Sequence, residues 1–335
     1  MPGVLVNILF ALIPVLLFLS VLVFLDSYKL VKFHSILLSI VIGCLAAAIP
    51  FAVLQGLPSF PSNSLLYSRY GAPIVEETLK ALFLFSLIRS QKVGFMVDAA
   101  IQGFAIGAGF ALFENVYYLD SLHEMNVLLW IVRGFGTAVM HGGTTAIVGI
   151  ISKNLSDVKN STSIIFFIPG LATGIIIHSF FNHFILPPVL STVAVMIVLP
   201  VLILGAFTRS ERVTREWLGV GFDNDAELLT IVTTGGIGTT RIGRYLDSIQ
   251  NKFRGEVLAD MLCYLRLYLE LAIQAKGILL MRESGFSVEP DPQVQAKFDE
   301  MTYLQKSIGT TGLLALSPFL RTNNRDLWQM HMLKS

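Results

Sequence analysis

Residues 72–88 read Ala72-Pro-Ile-Val-Glu76-Glu77-Thr-Leu-Lys80-Ala-Leu-Phe-Leu-Phe-Ser-Leu-Ile88. Apart from Glu76, Glu77 and Lys80 the stretch is almost wholly apolar, and as a helix it is long enough to reach across hydrocarbon. An ionisable group at the bilayer centre costs at least ~2.5–3.5 kcal/mol on insertion scales. Three in one span therefore call for a protein interior or a water-filled cavity.

Comparable apolar runs lie at about 4–25, 36–57, 95–119, 129–151, 164–186 and 189–207, which with 72–88 makes seven predicted spans. Helices satisfy their own backbone groups, so such runs can sit in lipid. The first lacks a basic leader and a small-residue cleavage pattern, and reads as a retained span. Composition divides the chain at the same point. Charged residues make up 17 of residues 1–207, about 8%, but 30 of residues 208–335, about 23%, close to the soluble norm. The expected fold is all-α: a polytopic membrane helix bundle over 1–207 and a helical cytoplasmic domain over 208–335. A single soluble globule is excluded. A net charge of +1 gives no argument for nucleic acid as a partner, and Cys44 and Cys263 make neither a disulfide framework nor a zinc cluster.

Orientation follows from the basic residues. Lys29, Lys32, Arg89, Lys92, Lys153, Lys159, Arg209, Arg212 and Arg215 fall on one set of connections, and only Arg69 falls on the other. This asymmetry predicts an outer N-terminus and a cytoplasmic C-terminal domain in the cell membrane. Tyr117, Tyr118 and Trp130 suit an outer aromatic belt. The small-residue stripe Ala99, Gly103, Gly107, Ala111, with Gly170 and Gly174, predicts close helix approach and a central place for spans four and six.

Further polar residues recur inside spans: Glu114, Arg133, His141, His178 and Asn182. From the 1.5 Å rise per residue, Glu76, Glu77, Glu114 and Asn182 lie about 7 Å below the outer end of their spans; His178 lies about 13 Å and His141 about 15–20 Å down. Carboxylates and imidazoles from four helices thus share one outer-to-middle slab. His178 and Asn182, four apart, share a helix face. Lys80 is four residues from Glu76 and three from Glu77, so it can neutralise one carboxylate and leave the other able to take a proton. His183 points elsewhere. Asp98 reads as an interfacially solvated group, and Arg133 as a snorkelling cation or a partner of Glu114.

Glu-Glu-x-x-Lys, Phe-x-x-x-Glu, a His at 141 and His-x-x-x-Asn, in that order on four successive spans, resemble the PrsW family of intramembrane proteases, within the superfamily of CAAX-processing and glutamate membrane proteases. The resemblance covers roughly residues 70–186. It implies hydrolysis of a peptide bond in a membrane protein or membrane-anchored peptide, as in the first cleavage of an anti-sigma factor in stress signalling. It carries catalytic roles onto Glu76, Glu77, Glu114, His141, His178 and Asn182. Glu114 stands where the CAAX-processing branch usually has His, which weakens a prenylated-substrate reading. Glu76 is expected to be the general base, with Glu77 as substitute; His178 and Asn182 would polarise the carbonyl, and His141 would orient water or bind metal. His141 and His178 with carboxylates suit Zn²⁺, and a metal-independent glutamate mechanism stands beside that reading.

Residues 208–335 show helical periodicity over Glu256–Arg282 and near 293–307. Gly235-Gly236-Ile237-Gly238 reads as a turn and Glu289-Pro-Asp-Pro292 as a break. Homo-oligomerisation, docking of a regulator or gating are open roles for this domain. The rival readings are an ion- or proton-coupled transporter, which would need a continuous polar path across both leaflets, and an inactive scaffold of the same fold.

Overall fold

The computed structural model describes residues 13, 16–56, 65–119, 127–183, 185–234, 244–245, 248, 252–286, 288, 291–320 and 323–334, with side chains in 53–56, 118–119 and 127–135 set aside. Half of the first predicted span, the side chains of Tyr118, Trp130 and Arg133, and the Gly235–Gly238 turn lie outside them. Every regular element among the described residues is helical: α1 (Phe33–Gly56), a π-helical turn (Tyr67–Gly71), α2 (Ala72–Arg89), α3 (Met96–Leu119), α4 (Val127–Val158), a 3-10 turn (Ile164–Phe166), α5 (Ile168–Asn182), α6 (Pro188–Thr234), α7 (Gly255–Glu283), α8 (Val294–Leu316) and α9 (Asn324–Lys334). They group into two compact units, Met1–Glu211 and Arg212–Ser335.

Among the described residues, four helical stretches are long and apolar enough to cross a membrane: Phe33–Ala52, Met96–Tyr117, Ile164–Asn182 and Pro188–Thr234. The first and fifth expected spans are not among them, and neither is the third, α2, in which Glu76, Glu77, Lys80 and Arg89 fall within 18 residues. The seventh runs on past 207 to Thr234. The change there is one of side-chain polarity rather than backbone preference, and no proline follows before Pro290.

Helix α3 is the axis of the first unit. Of its candidate span 89% is buried, against 33%, 22% and 17% for the other three. Glycines on both of its faces make this possible. A Cβ on Gly103 would lie 2.6 Å from the Thr145 carbonyl oxygen, and one on Gly107 2.2 Å from that of His141, so α4 packs against that face backbone to backbone. On the other face an added Cβ on Gly109 would meet the Ile40 carbonyl oxygen, and one on Gly43 of α1 that of Ile106, each at 2.0 Å. Gln102 adds polar ties to α1, donating to Ser35 Oγ at 2.7 Å and receiving the Ser39 hydroxyl. Around the axis Leu22, Ile36, Ile101, Phe104, Ala138 and Ile203 form one apolar core. Helix α5 closes on α4 through Gly170 and Gly174, whose added Cβ atoms would meet Ser152 Oγ at 2.5 Å and Val148 Cγ2 at 2.6 Å.

Asp98 departs from its expected solvation. It is 2% exposed and caps α3, its Oδ2 accepting the Gly94 N–H at 2.8 Å.

In the second unit α7 packs on α8 and α9, with Met261, Tyr264, Leu271, Ile278, Phe298 and Leu333 in its cores. Helix α8 breaks at Gly309, whose φ of 64° a side-chain-bearing residue adopts at a cost. Lys276, fully buried, pairs with Asp225 and sits 5.1 Å from the Trp217 ring. Glu270 receives Arg266 at 2.9 Å and Lys297 at 2.8 Å. Burial alone would raise its carboxyl, but the hydrogen bonds from Lys297 and Arg266 outweigh that and hold it below its ordinary value.

Candidate active site

The polar residues of α2, α3, α4 and α5 converge on one another. Glu77 Oε1 accepts from Lys80 Nζ at 2.5 Å and from His178 Nδ1 at 2.7 Å. Lys80 Nζ also reaches His141 Nδ1 at 3.0 Å, and His141 Nε2 meets Glu114 Oε2 at 2.8 Å. Glu76 Oε2 lies 3.9 Å from His178 Nε2. The two imidazole rings stand edge to face with centroids 4.9 Å apart. Glu77, Lys80, His141 and His178 are buried, whereas the side chains of Glu76 and Glu114 keep 17% and 19% exposure. The interior a charged span requires is therefore present.

An ammonium has only protons to give, so His141 accepts from Lys80 at Nδ1 and carries its proton on Nε2, which donates to Glu114. Glu77, paired with Lys80, takes the His178 Nδ1–H and leaves a lone pair on His178 Nε2 facing Glu76. Of the two adjacent acids, Lys80 engages Glu77, and Glu76 is the one left open. Phe110 walls the cluster, 4.7 Å from Lys80 Nζ and 5.0 Å from the His141 ring.

Asn182 does not join. Its amide donates to the Ser68 carbonyl at 2.9 Å, and Ser179 donates to the Arg69 carbonyl at 2.6 Å, so this face of α5 holds the π-helical turn ahead of α2. His183, 3.0 Å from the Tyr70 hydroxyl, belongs to the same clasp. Sequence reasoning gave no place at the site to Phe110, the aromatic of the Phe-x-x-x-Glu motif, to Gly107 of the small-residue stripe, or to Thr144. The motif and the stripe do not say what those two side chains or backbones touch; Thr144 stood in the His141-Gly-Gly-Thr-Thr145 run without a role.

One ligand atom each from Glu76, His141 and His178 lies within 4.8 Å of the others. A tetrahedral set at Zn²⁺ bond lengths has ligands roughly 3.4 Å apart. Two imidazoles and a carboxylate are the donors Zn²⁺ takes in hydrolases, so the residues fit after a small contraction. His141 would give up one of its two present contacts to join the set.

A family model, PrsW family intramembrane metalloprotease, matches residues 31–205, just over half of the chain. The chain belongs to the PrsW family. All the site residues fall within the matched segment, and the protein carries an intramembrane protease domain whose substrates are membrane proteins. No curated protein and no solved structure matches it.

Proposed function

We propose that this PrsW-family chain crosses the cell membrane seven times, N-terminus outside and residues 208–335 in the cytoplasm. We further propose that it cleaves a membrane-anchored protein in the outer half of the bilayer, as the first cut of a regulated pathway. The observation that carries the catalytic part is the meeting of Glu76, His141 and His178, from three separate helices, within 4.8 Å.

Glu76, open and unclaimed by Lys80, takes the proton of the attacking water. Lys80 pairs with Glu77, and Glu77 in turn holds His178 in one tautomer. Glu76 then passes the water's proton to the leaving amine, while His141 keeps its Nε2 proton on Glu114 and orients that carboxylate. Asn182 would polarise the scissile carbonyl only after releasing Ser68, so in the resting form it orders the outer mouth of the site. Glu76, His141 and His178 would hold the ion named by the family; when bound it supplies a water of lowered pKa and polarises the carbonyl. With Glu76 committed as a ligand, Glu114 is the remaining partly exposed carboxylate able to take the proton. Transport finds less support, because buried Val148 separates Thr144 from Ser152 along α4.

The reading is tested by reconstituting the chain with single-span peptides in ¹⁸O-water. Label in the new carboxyl terminus, with cuts in the outer half of the span, is expected. Intact peptides together with ion flux would instead favour transport.

A further inference from the structure

Glu77 binds through one oxygen only. Oε1 receives both Lys80 and His178, while Oε2, equally buried, has no hydrogen-bond partner in the protein. A buried acceptor left unpaired is destabilising, so an orphan here needs an explanation.

A second orphan lies across the same seam. Thr144, fully buried on α4 three residues after His141, has a hydroxyl with no partner. A helical Thr ordinarily returns its hydroxyl to the carbonyl four residues back. Thr78, Thr145 and Thr173 do so, at 2.6, 2.9 and 2.8 Å, and Thr144 does not. Both orphans flank Gly174 of α5: a Cβ built there would lie 3.4 Å from Thr144 Cγ2 and 3.7 Å from Glu77 Oε2. Donor and acceptor are thus the two unsatisfied groups beside one glycine, and each is what the other lacks.

We propose that Thr144 is a positioning residue, its hydroxyl directed to Glu77 Oε2 and fixing the rotation of that carboxylate. The consequence reaches the reacting atoms through one further residue. A Glu77 free to rotate would carry Oε1 away from His178 Nδ1–H, and with it the alignment of His178 Nε2 on Glu76. Gly174 is required because any side chain there would enter this contact and collide with Val148. As a catalytic role the inference rests on the proposed function.

The test uses Thr144→Val, which keeps the methyl and removes the hydroxyl, and Thr144→Ser, which does the reverse. In the reconstituted full chain, Thr144→Val should lower kcat about 10–100-fold, the usual cost of losing a partner of a site residue, with KM unchanged. Thr144→Ser should retain wild-type kcat. Wild-type kcat in Thr144→Val, or an equal loss in Thr144→Ser, would overturn the proposal and make Thr144 a packing group. The infrared carboxylate stretch of Glu77, assigned by its loss in Glu77→Gln, decides the matter without any cleavage assay. It should shift in Thr144→Val and not in Thr144→Ser, and no shift in either also overturns the proposal. If the wild type cleaves nothing, the functional reading fails while the infrared band still reports on Thr144.

Discussion

Replacing Gly107 by Ala tests whether the site depends on the close approach of α3 and α4. The added Cβ would lie 2.2 Å from the His141 carbonyl oxygen, 2.5 Å from its carbon and 2.8 Å from Gly142 Cα. All three are backbone atoms, so no side chain can turn aside. Ordinary contact begins near 3.4 Å, and the helices must part by about 1.2 Å to reach it. The His141 ring is held at 3.0 Å by Lys80 and at 2.8 Å by Glu114, so a shift of that size breaks or misaligns both hydrogen bonds. Overpacking of this kind costs about 1–3 kcal/mol of stability, and a misplacement near 1 Å costs on the order of 10²-fold in rate. The assay is thermal unfolding in detergent together with the cleavage rate of a reporter peptide in vesicles, after membrane insertion has been verified. Gly205→Ala is the control, since nothing lies within 4 Å of its Cβ position. It should leave both readouts unchanged. A Gly107→Ala protein that melts and cleaves like wild type would refute the packing argument and the placement of His141 with it.

Three further outcomes are expected. Lys80→Met leaves Glu77 buried without its cation and should lose about 3–5 kcal/mol of stability; adding Glu77→Gln should recover part of it, as measured by denaturation of the single and double variants. Chelation followed by Zn²⁺ should abolish and restore cleavage, and Glu114→Gln should then be nearly inactive; full activity in chelator would instead assign the reaction to Glu76 without metal. In the second unit, Glu270 has a depressed folded-state pKa, so its contribution to stability is present above the unfolded value of about 4.3 and is lost as pH falls through the lower folded value. Glu270→Gln should flatten the acid limb of the full chain's stability profile, and an unaltered limb would show that Arg266 and Lys297 contribute nothing through it.

How much of the site was legible in the sequence depended on physical contrast. Glu76, Glu77, His141 and His178 stand out because hydrocarbon tolerates few ionisable groups, and helical rise alone brought them to a common depth. Rise does not give azimuth. Whether Lys80 would serve Glu76 or Glu77 was undetermined by spacings of four and three, and packing against α4 decided for Glu77 while turning the same ammonium to His141. Asn182 shares the His178 face as its spacing requires, yet its amide goes to Ser68, because the π-helical turn at Tyr67–Gly71 brings backbone carbonyls to that face. The small-residue stripe announced a close approach but not what it touches; that Gly107 meets the His141 backbone emerges only when two helices are in register. The same charges that made α2 conspicuous keep it from standing out as a span by hydropathy.

The central claim is that Glu76 is indispensable, as base or as ligand, at a site built around His141 and His178. Single-turnover cleavage by reconstituted Glu76→Gln, correctly inserted and with wild-type thermal stability, tests it most directly. The account predicts no product beyond background, because this partly exposed carboxylate serves chemistry rather than packing. Cleavage at the wild-type rate would contradict it.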